Sequence, residues 1–313
     1  MIEITERERL TRLGSFWGIA GNAFLAVFKL SIGFFSGSLA IIADGVDSAT
    51  DIITSALTLI ASKISNKPAD PGHPYGHEKI ETIITKVMSF IILFAGYNVF
   101  HTAYEKLKNP EEILYPGWIL GICVVSIIIK FALYKYKYAI GQKINSPSFI
   151  ADALNLRNDI LTSAGVFVGM LVFVITKINW IDPILAMMVS LFIFKVGFSI
   201  FFEMSKELMD SSEEMGEIYQ EIVKTLHQFQ EVKNPHKIRV RKAGFVYFLE
   251  LHLEVKPNMT VFDAHTLTEE IEKAIYNSIS GMKEIIIHIE PYGNQQEEGF
   301  GFDSKTIKEH FSK

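Results

Sequence analysis

Asp44, Asp47 and Asp51 sit in one long apolar stretch, and Asp152, Asn155 and Asp159 repeat their i, i+3, i+7 spacing in another. That spacing puts each set on one face of a helix. A carboxylate at bilayer depth costs about 2.5 to 3.5 kcal/mol even on permissive scales. Hydrogen-bonded helix packing, the bland use of intramembrane polar groups, does not account for three acids in one place. Asp47, Asp51, Asn155 and Asp159 therefore read as four oxygen donors, two per helix, for a divalent cation. Asp44 and Asp152 extend the same faces by a turn, as accessory ligands or proton carriers.

Two further clusters offer metal-ligand chemistry. Asp70, His73 and His77 lie in a loop with Pro68, Pro71, Gly72, Pro74 and Gly76. One carboxylate and two imidazoles suit zinc-type ions, although the same prolines and glycines also suit a plain tight loop. His236, His252, His265, His288 and Glu290 are spread over the C-terminal third. His288 and Glu290 share a strand face by period two, but spacing alone does not gather the set, and scattered surface histidines are the default. His101, His227 and His310 have no such company.

The elements that must position these groups are membrane spans. With 313 residues, 49% apolar composition, 24 Phe and a mean hydropathy of +0.24, the chain reads as a membrane protein. A net charge of −5 leaves no nucleic-acid footprint, and the single cysteine, Cys123, excludes an intrachain disulfide. The charged N-terminus lacks the pattern of a cleaved signal, so the first apolar segment is expected to remain. Six segments approach the ~20 apolar residues needed to span a bilayer, at 13–35, 38–62, 80–104, 116–136, 148–176 and 181–202. Arg7, Arg9, Arg12, Lys63, Lys67, Lys135, Lys137 and Lys143 fall on one side, and Lys106, Lys108 and Lys177 on the other. Both termini are thus expected in the cytoplasm.

With that topology the second and fifth helices are antiparallel, so Asp47 meets the depth of Asp159 and Asp51 that of Asn155. Asp44 then faces the outer mouth and Asp152 the cytoplasmic one. Lys29 lies seven residues before Ser36, and Asp44 seven after Gly37. A tight turn there sets both about 10 Å deep, as an ion pair or with Lys29 snorkelling. Asn22 is expected to bond another helix rather than serve as a ligand.

After residue 204 the character changes to a soluble domain over 205–292 with the order α-β-β-α-β, its helices on one face of a three-stranded sheet. Residues 1–12 form a cytoplasmic N-terminal segment and 13–204 the six-helix domain. Residues 293–313 form a polar tail with a possible short helix after Asp303.

The stretch from Ser38 to Asp51, the loop from Pro68 to Lys79, Asn155 to Asp159, and Ile286-Ile287-His288-Ile289-Glu290-Pro291 together resemble the cation diffusion facilitators. The resemblance covers about residues 13–292. It implies no enzyme and no cofactor, but a homodimer in the lipid bilayer, expected in the cell (inner) membrane, that exports divalent transition metals in exchange for protons. It implies a metallochaperone-like cytoplasmic domain, with metal as substrate and also as regulator. By the same resemblance Asp47, Asp51, Asn155 and Asp159 match the transport site and Asp70, His73 and His77 the loop site. His236, His252, His265, His288 and Glu290 match the cytoplasmic site, and Lys79 with Asp210 a pair that locks the protomers. Two positions depart from zinc-binding relatives: Glu290, where Asp is frequent, and Asn155, where His is usual. Losing the imidazole leaves an all-oxygen set that suits Mn²⁺ better than Zn²⁺. Mn²⁺ is therefore the expected substrate, with Zn²⁺ or Fe²⁺ as alternatives. An intramembrane aspartyl protease and a membrane metal sensor are the readings from other classes.

Overall fold

The computed structural model describes residues 4–65, 67–109, 112–143, 147–213, 215–293 and 300–311. Residues 294–299 of the polar tail lie outside the described residues. Six long helices come first: α1 (Ile4–Ser36), α2 (Leu39–Ser65), α3 (Lys79–Lys108), α4 (Pro116–Lys143), α5 (Pro147–Thr176) and α6 (Ile181–Leu208). Then follow α7 (Gly216–Leu226), β1 (Lys233–Ala243), β2 (Val246–Val255), α8 (Val261–Ser278), β3 (Met282–Pro291) and α9 (Ser304–Phe311). The chain divides into two compact units, Met1–Ile60 with Thr85–Phe201, and Ala61–Ile84 with Phe202–Lys313.

In the first unit, α1, α3, α4, α5 and α6 each carry a window long and apolar enough to cross a membrane. The remaining long helix, α2, carries Asp44, Asp47 and Asp51 along its length. Leu39, Ile41, Ile92, Ile119, Met170, Phe173 and Ile193 fill the interior, while Phe34, Phe94, Leu161 and Ile175 stay exposed. Large apolar side chains turned outward on long helices are the arrangement that lipid, not water, accommodates.

The first two helices form a hairpin with almost no connection. Gly37 takes φ +75° between them, a backbone conformation that glycine adopts without penalty. At Gly45 a Cβ would stand 3.1 Å from the Leu30 backbone nitrogen, so the missing side chain permits the close crossing of α1 and α2. The N-terminus of α2 is capped from α6 by buried Asp182. Its carboxylate accepts from Ser38 Oγ at 2.5 Å, Leu39 N at 2.8 Å and Ala40 N at 3.1 Å. A carboxylate there answers both the orphan N–H groups and the positive end of the helix dipole.

In the second unit the sheet order is β1-β2-β3, with β1 antiparallel and β3 parallel to β2. The parallel pair requires a crossover, which α8 supplies. Tyr219, Ile222 and Leu226 of α7 and Ile271 and Ile275 of α8 pack with Ile238, Val240, Leu249, Leu251 and Leu253 of the sheet. Alternation along β2 therefore assigns the odd positions to the core and Glu250, His252 and Glu254 to the other face. The tail helix does form. Asp303 and Thr306 cap its start reciprocally, Thr306 N to Asp303 Oδ1 at 2.7 Å and Asp303 N to Thr306 Oγ1 at 2.8 Å. Just before it, Phe302 exchanges two backbone hydrogen bonds with Ile238 on the outer edge of β1, at 2.9 and 3.0 Å.

Removing a carboxylate that satisfies three buried donors leaves them unpaired, at a cost of about 1–3 kcal/mol. Asp182→Ala should lower the melting temperature of the detergent-solubilised protein, and Asp182→Asn should do so less. Unchanged melting for both would show that the cap contributes nothing.

Candidate metal centre

Helices α2 and α5 deliver their polar faces to the same interior. Asp47, Asn155 and Asp159 line an open cavity of about 870 Å³ together with Asn158 and Thr162. Asp47 Oδ2 and Asp159 Oδ2 stand 3.9 and 4.0 Å from one ammonium, Lys130 Nζ on α4. That shared neighbour brings one carboxylate of α2 and one of α5 to the same ammonium. Asp51 Oδ2 accepts from Asn22 Nδ2 at 3.4 Å, so Asn22 does bond a neighbouring helix.

Asp44 is fully buried and engaged. Lys29 Nζ lies 2.7 Å from its Oδ2, and Ser163 Oγ donates to its Oδ1 at 3.1 Å. Lys29 also donates to Ser48 Oγ at 3.3 Å. The lysine is therefore an ion-pair partner, not a snorkelling side chain. The pair joins α1, α2 and α5. Asp152 is half-exposed and pairs with Lys137 at 2.5 Å.

In the loop between α2 and α3, Asp70 Oδ1 accepts from Gly72 N and His73 N, both at 2.8 Å, and meets His73 Nδ1 at 3.2 Å. His77 Nε2 stands 3.3 Å from the other oxygen, Oδ2. One ligand atom from each of the three residues lies within 4.8 Å of the others, the spacing of a metal site. Desolvation raises the Asp70 carboxyl, but the hydrogen bonds from His73 and Gly72 outweigh it and hold the group below its ordinary 3.8.

The loop is held against the cytoplasmic sheet by the residues around it. Arg241 lies between the Tyr75 and Phe248 rings, at 4.9 and 4.5 Å from their centroids. Lys283 Nζ donates to Tyr75 O at 2.9 Å and pairs with Glu78 at 2.5 Å. Glu207 accepts from the Thr82 hydroxyl, from Gly244 N at 2.9 Å and from Lys242 at 3.3 Å. Lys79 Nζ meets Asp210 Oδ1 at 3.4 Å within one chain, at a solvent-exposed site.

The sheet register gathers most of the third cluster. His236 pairs with His252 across β1 and β2, and His252 with His288 across β2 and β3. Three imidazoles thus form one row on the face opposite the core. Glu290, two positions beyond His288 and 3% exposed, lies under that row. Its carboxylate is 2.8 Å from His252 Nδ1, 3.6 Å from His288 Nε2 and 3.7 Å from His236 Nε2. His236, His252 and Glu290 each offer a ligand atom within 4.8 Å of the others. His265 is not brought to this row; it is exposed on α8, 3.5 Å from Glu269.

The hydrogen bond from His252, followed by the neighbouring histidines, holds the Glu290 carboxyl below its ordinary 4.5. Burial pushes His252 below 6.5, even though Glu290 pulls the other way. A carboxylate acceptor requires the proton on Nδ1, which leaves the Nε2 lone pair of a neutral imidazole for a metal. His252→Ala or Glu290→Ala in the full chain should weaken Zn²⁺ or Mn²⁺ binding to this cluster by about tenfold or more. The depressed His252 value should carry wild-type binding to somewhat below pH 6.5 before protons displace the metal. Competition with a fluorescent chelator across pH 5–7.5 reads both effects.

Two residues essential to this arrangement escape the sequence reading. Lys130 carried its own signal, a lysine inside an apolar span, whereas Asp182 has none, because its partners lie more than 140 residues away.

Residues 15–209 match the cation efflux transmembrane domain, and residues 215–292 match the cation efflux protein cytoplasmic domain. The chain is 30% identical over 295 residues to the manganese efflux system protein MneP of Bacillus subtilis, covering 92% of this chain and 98% of that protein. To YdbO, an uncharacterized transporter of the same organism, it is 31% identical over 297 residues, covering 93% and 99%. To the manganese efflux system protein MneS it is 30% identical over 264 residues, covering 83% and 89%. The chain belongs to the cation efflux, or cation diffusion facilitator, family: it is an integral membrane transporter that exports divalent metal cations and not an enzyme.

Proposed function

We propose that this transporter exports Mn²⁺ from the cytoplasm by proton antiport, with alternating access around Asp47, Asp51, Asn155 and Asp159. The observation that carries the reading is the donor set: an amide at Asn155 shares one cavity with the carboxylates of Asp47 and Asp159, so imidazole is absent among these four residues. Hard oxygen donors favour Mn²⁺ over the more thiophilic and imidazole-loving Zn²⁺. The likeness to two manganese efflux proteins supports the same choice. Zn²⁺ and Fe²⁺ are the alternatives within the family.

In this cycle the metal enters past Asp152 from the cytoplasm and displaces protons from the carboxylates. Helix rocking then opens the site outward, where returning protons release the ion. Residues 13–204 act as the transport domain in the cell (inner) membrane, with residues 1–12, the 205–292 domain and the 293–313 tail in the cytoplasm. Asp70, His73 and His77 form the loop site. His236, His252, His288 and Glu290 form the cytoplasmic site, through which metal favours the closed homodimer, and His265, expected there from the sequence, stands apart on α8. Lys79 and Asp210 steady the dimer near the membrane surface.

Purified protein in liposomes under a pH gradient should take up Mn²⁺ in preference to Zn²⁺. Asn155→His should shift the ratio of the two uptake rates toward Zn²⁺ by roughly tenfold, equivalent to about 1.4 kcal/mol. Zn²⁺ uptake by the unsubstituted protein without Mn²⁺ uptake would overturn the metal assignment.

A further inference from the structure

Lys130 is fully buried, and its Nζ has no hydrogen-bond partner among the described residues. It stands at nearly equal distances from one carboxylate of α2 and one of α5, 3.9 Å from Asp47 Oδ2 and 4.0 Å from Asp159 Oδ2. The other interior lysine behaves differently: Lys29 closes to 2.7 Å on Asp44 and adds a hydroxyl partner. Lys29 and Asp44 thus cancel each other, whereas Lys130 is committed to neither of its neighbours. A lysine is a compact point charge on a flexible four-carbon stem, able to offset two acids from a distance without serving as a fixed hydrogen-bond partner to either.

We propose that Lys130 is a specificity-determining residue of the transport site, a tethered counter-cation that sets the charge of the ion the site holds. This inference rests on the transport-site reading given above. Asp47, Asp51 and Asp159 supply three negative charges when ionised, and Lys130 offsets one of them. Two remain, and a divalent ion neutralises the site. In a low-dielectric interior any uncompensated charge is costly, so a divalent ion is the best match. The same ammonium repels the bound ion. It therefore holds affinity down and speeds release, an advantage for a transporter that must let go of its cargo.

The test is Mn²⁺ uptake, with Zn²⁺ in parallel, by proteoliposomes containing the full chain. Lys130→Met, which keeps the bulk and removes the charge, should lower the half-saturating metal concentration about tenfold or more and also lower the maximal rate. Lys130→Arg keeps the charge and should hold half-saturation closer to that of the unsubstituted protein than Lys130→Met does. Asp47→Asn should raise half-saturation, and adding Lys130→Met to it should recover most of that loss, because the double variant restores the charge count. A folded Lys130→Met with unchanged or raised half-saturation overturns the proposal.

If Lys130→Met alone does not fold, the charge-balanced double variant decides: recovery relative to Asp47→Asn supports the proposal and no recovery overturns it. Failure of both to fold makes the ammonium a structural element and also overturns it. Unchanged uptake in Asp47→Asn and Asp159→Asn would instead refute the transport-site reading itself. Full dependence on those two acids, with no gain in Lys130→Met, would refute only the role of Lys130.

Discussion

Charge inside a hydrocarbon layer has to be answered locally, and this constraint organises the first unit. Two lysines on α1 and α4 face aspartates on α2 and α5. Breaking a buried pair by removing one partner costs far more than the pair returns, because the remaining charge is stranded. The helix contacts follow from that requirement. Gly45 lets α1 approach α2 closely, beside the Lys29–Asp44 contact, and α4 carries Lys130 to the acids of both α2 and α5. The packing that surrounds these charges is apolar and generic, whereas the positions of the charges are not.

The cytoplasmic unit solves a related problem with different means. Imidazoles on three strands come together because register, set by one antiparallel and one parallel pairing, aligns His236, His252 and His288 in a row. A buried carboxylate beneath them fixes the tautomer of the middle ring. A one-residue slip of either pairing would send a member of the row to the core face. The hydrophobic pattern that specifies the register therefore also assembles the metal-ligand geometry.

Much of this was open to reading in the sequence, because the signals were local. Apolar runs of sufficient length marked the long helices, and i, i+3, i+7 spacing marked the faces of α2 and α5. Seven residues from Lys29 to Ser36 and seven from Gly37 to Asp44 put the two at one level of the hairpin, with an ion pair and snorkelling both open. The histidine row was not legible, since period-two alternation assigns a face but leaves the offset between strands undetermined. Lys130 shows in the sequence only as a lysine within an apolar span, and its two acidic neighbours come from other helices, which no local spacing relates to it. Asp182 is a long-range cap, invisible to any window shorter than the chain that separates it from Ser38.

The backbone bridge between Phe302 and Ile238 bears on assembly. By bonding to Ile238, Phe302 occupies the outer edge of β1, and α9 secures it by packing Phe311 on Tyr219, their ring centroids 5.3 Å apart. An open edge strand invites indiscriminate pairing with other chains. The segment beyond the cytoplasmic family domain thus acts as a cover that denies that edge around Ile238 to a second sheet. At that point of β1 a second subunit finds no free backbone edge from which to extend the sheet.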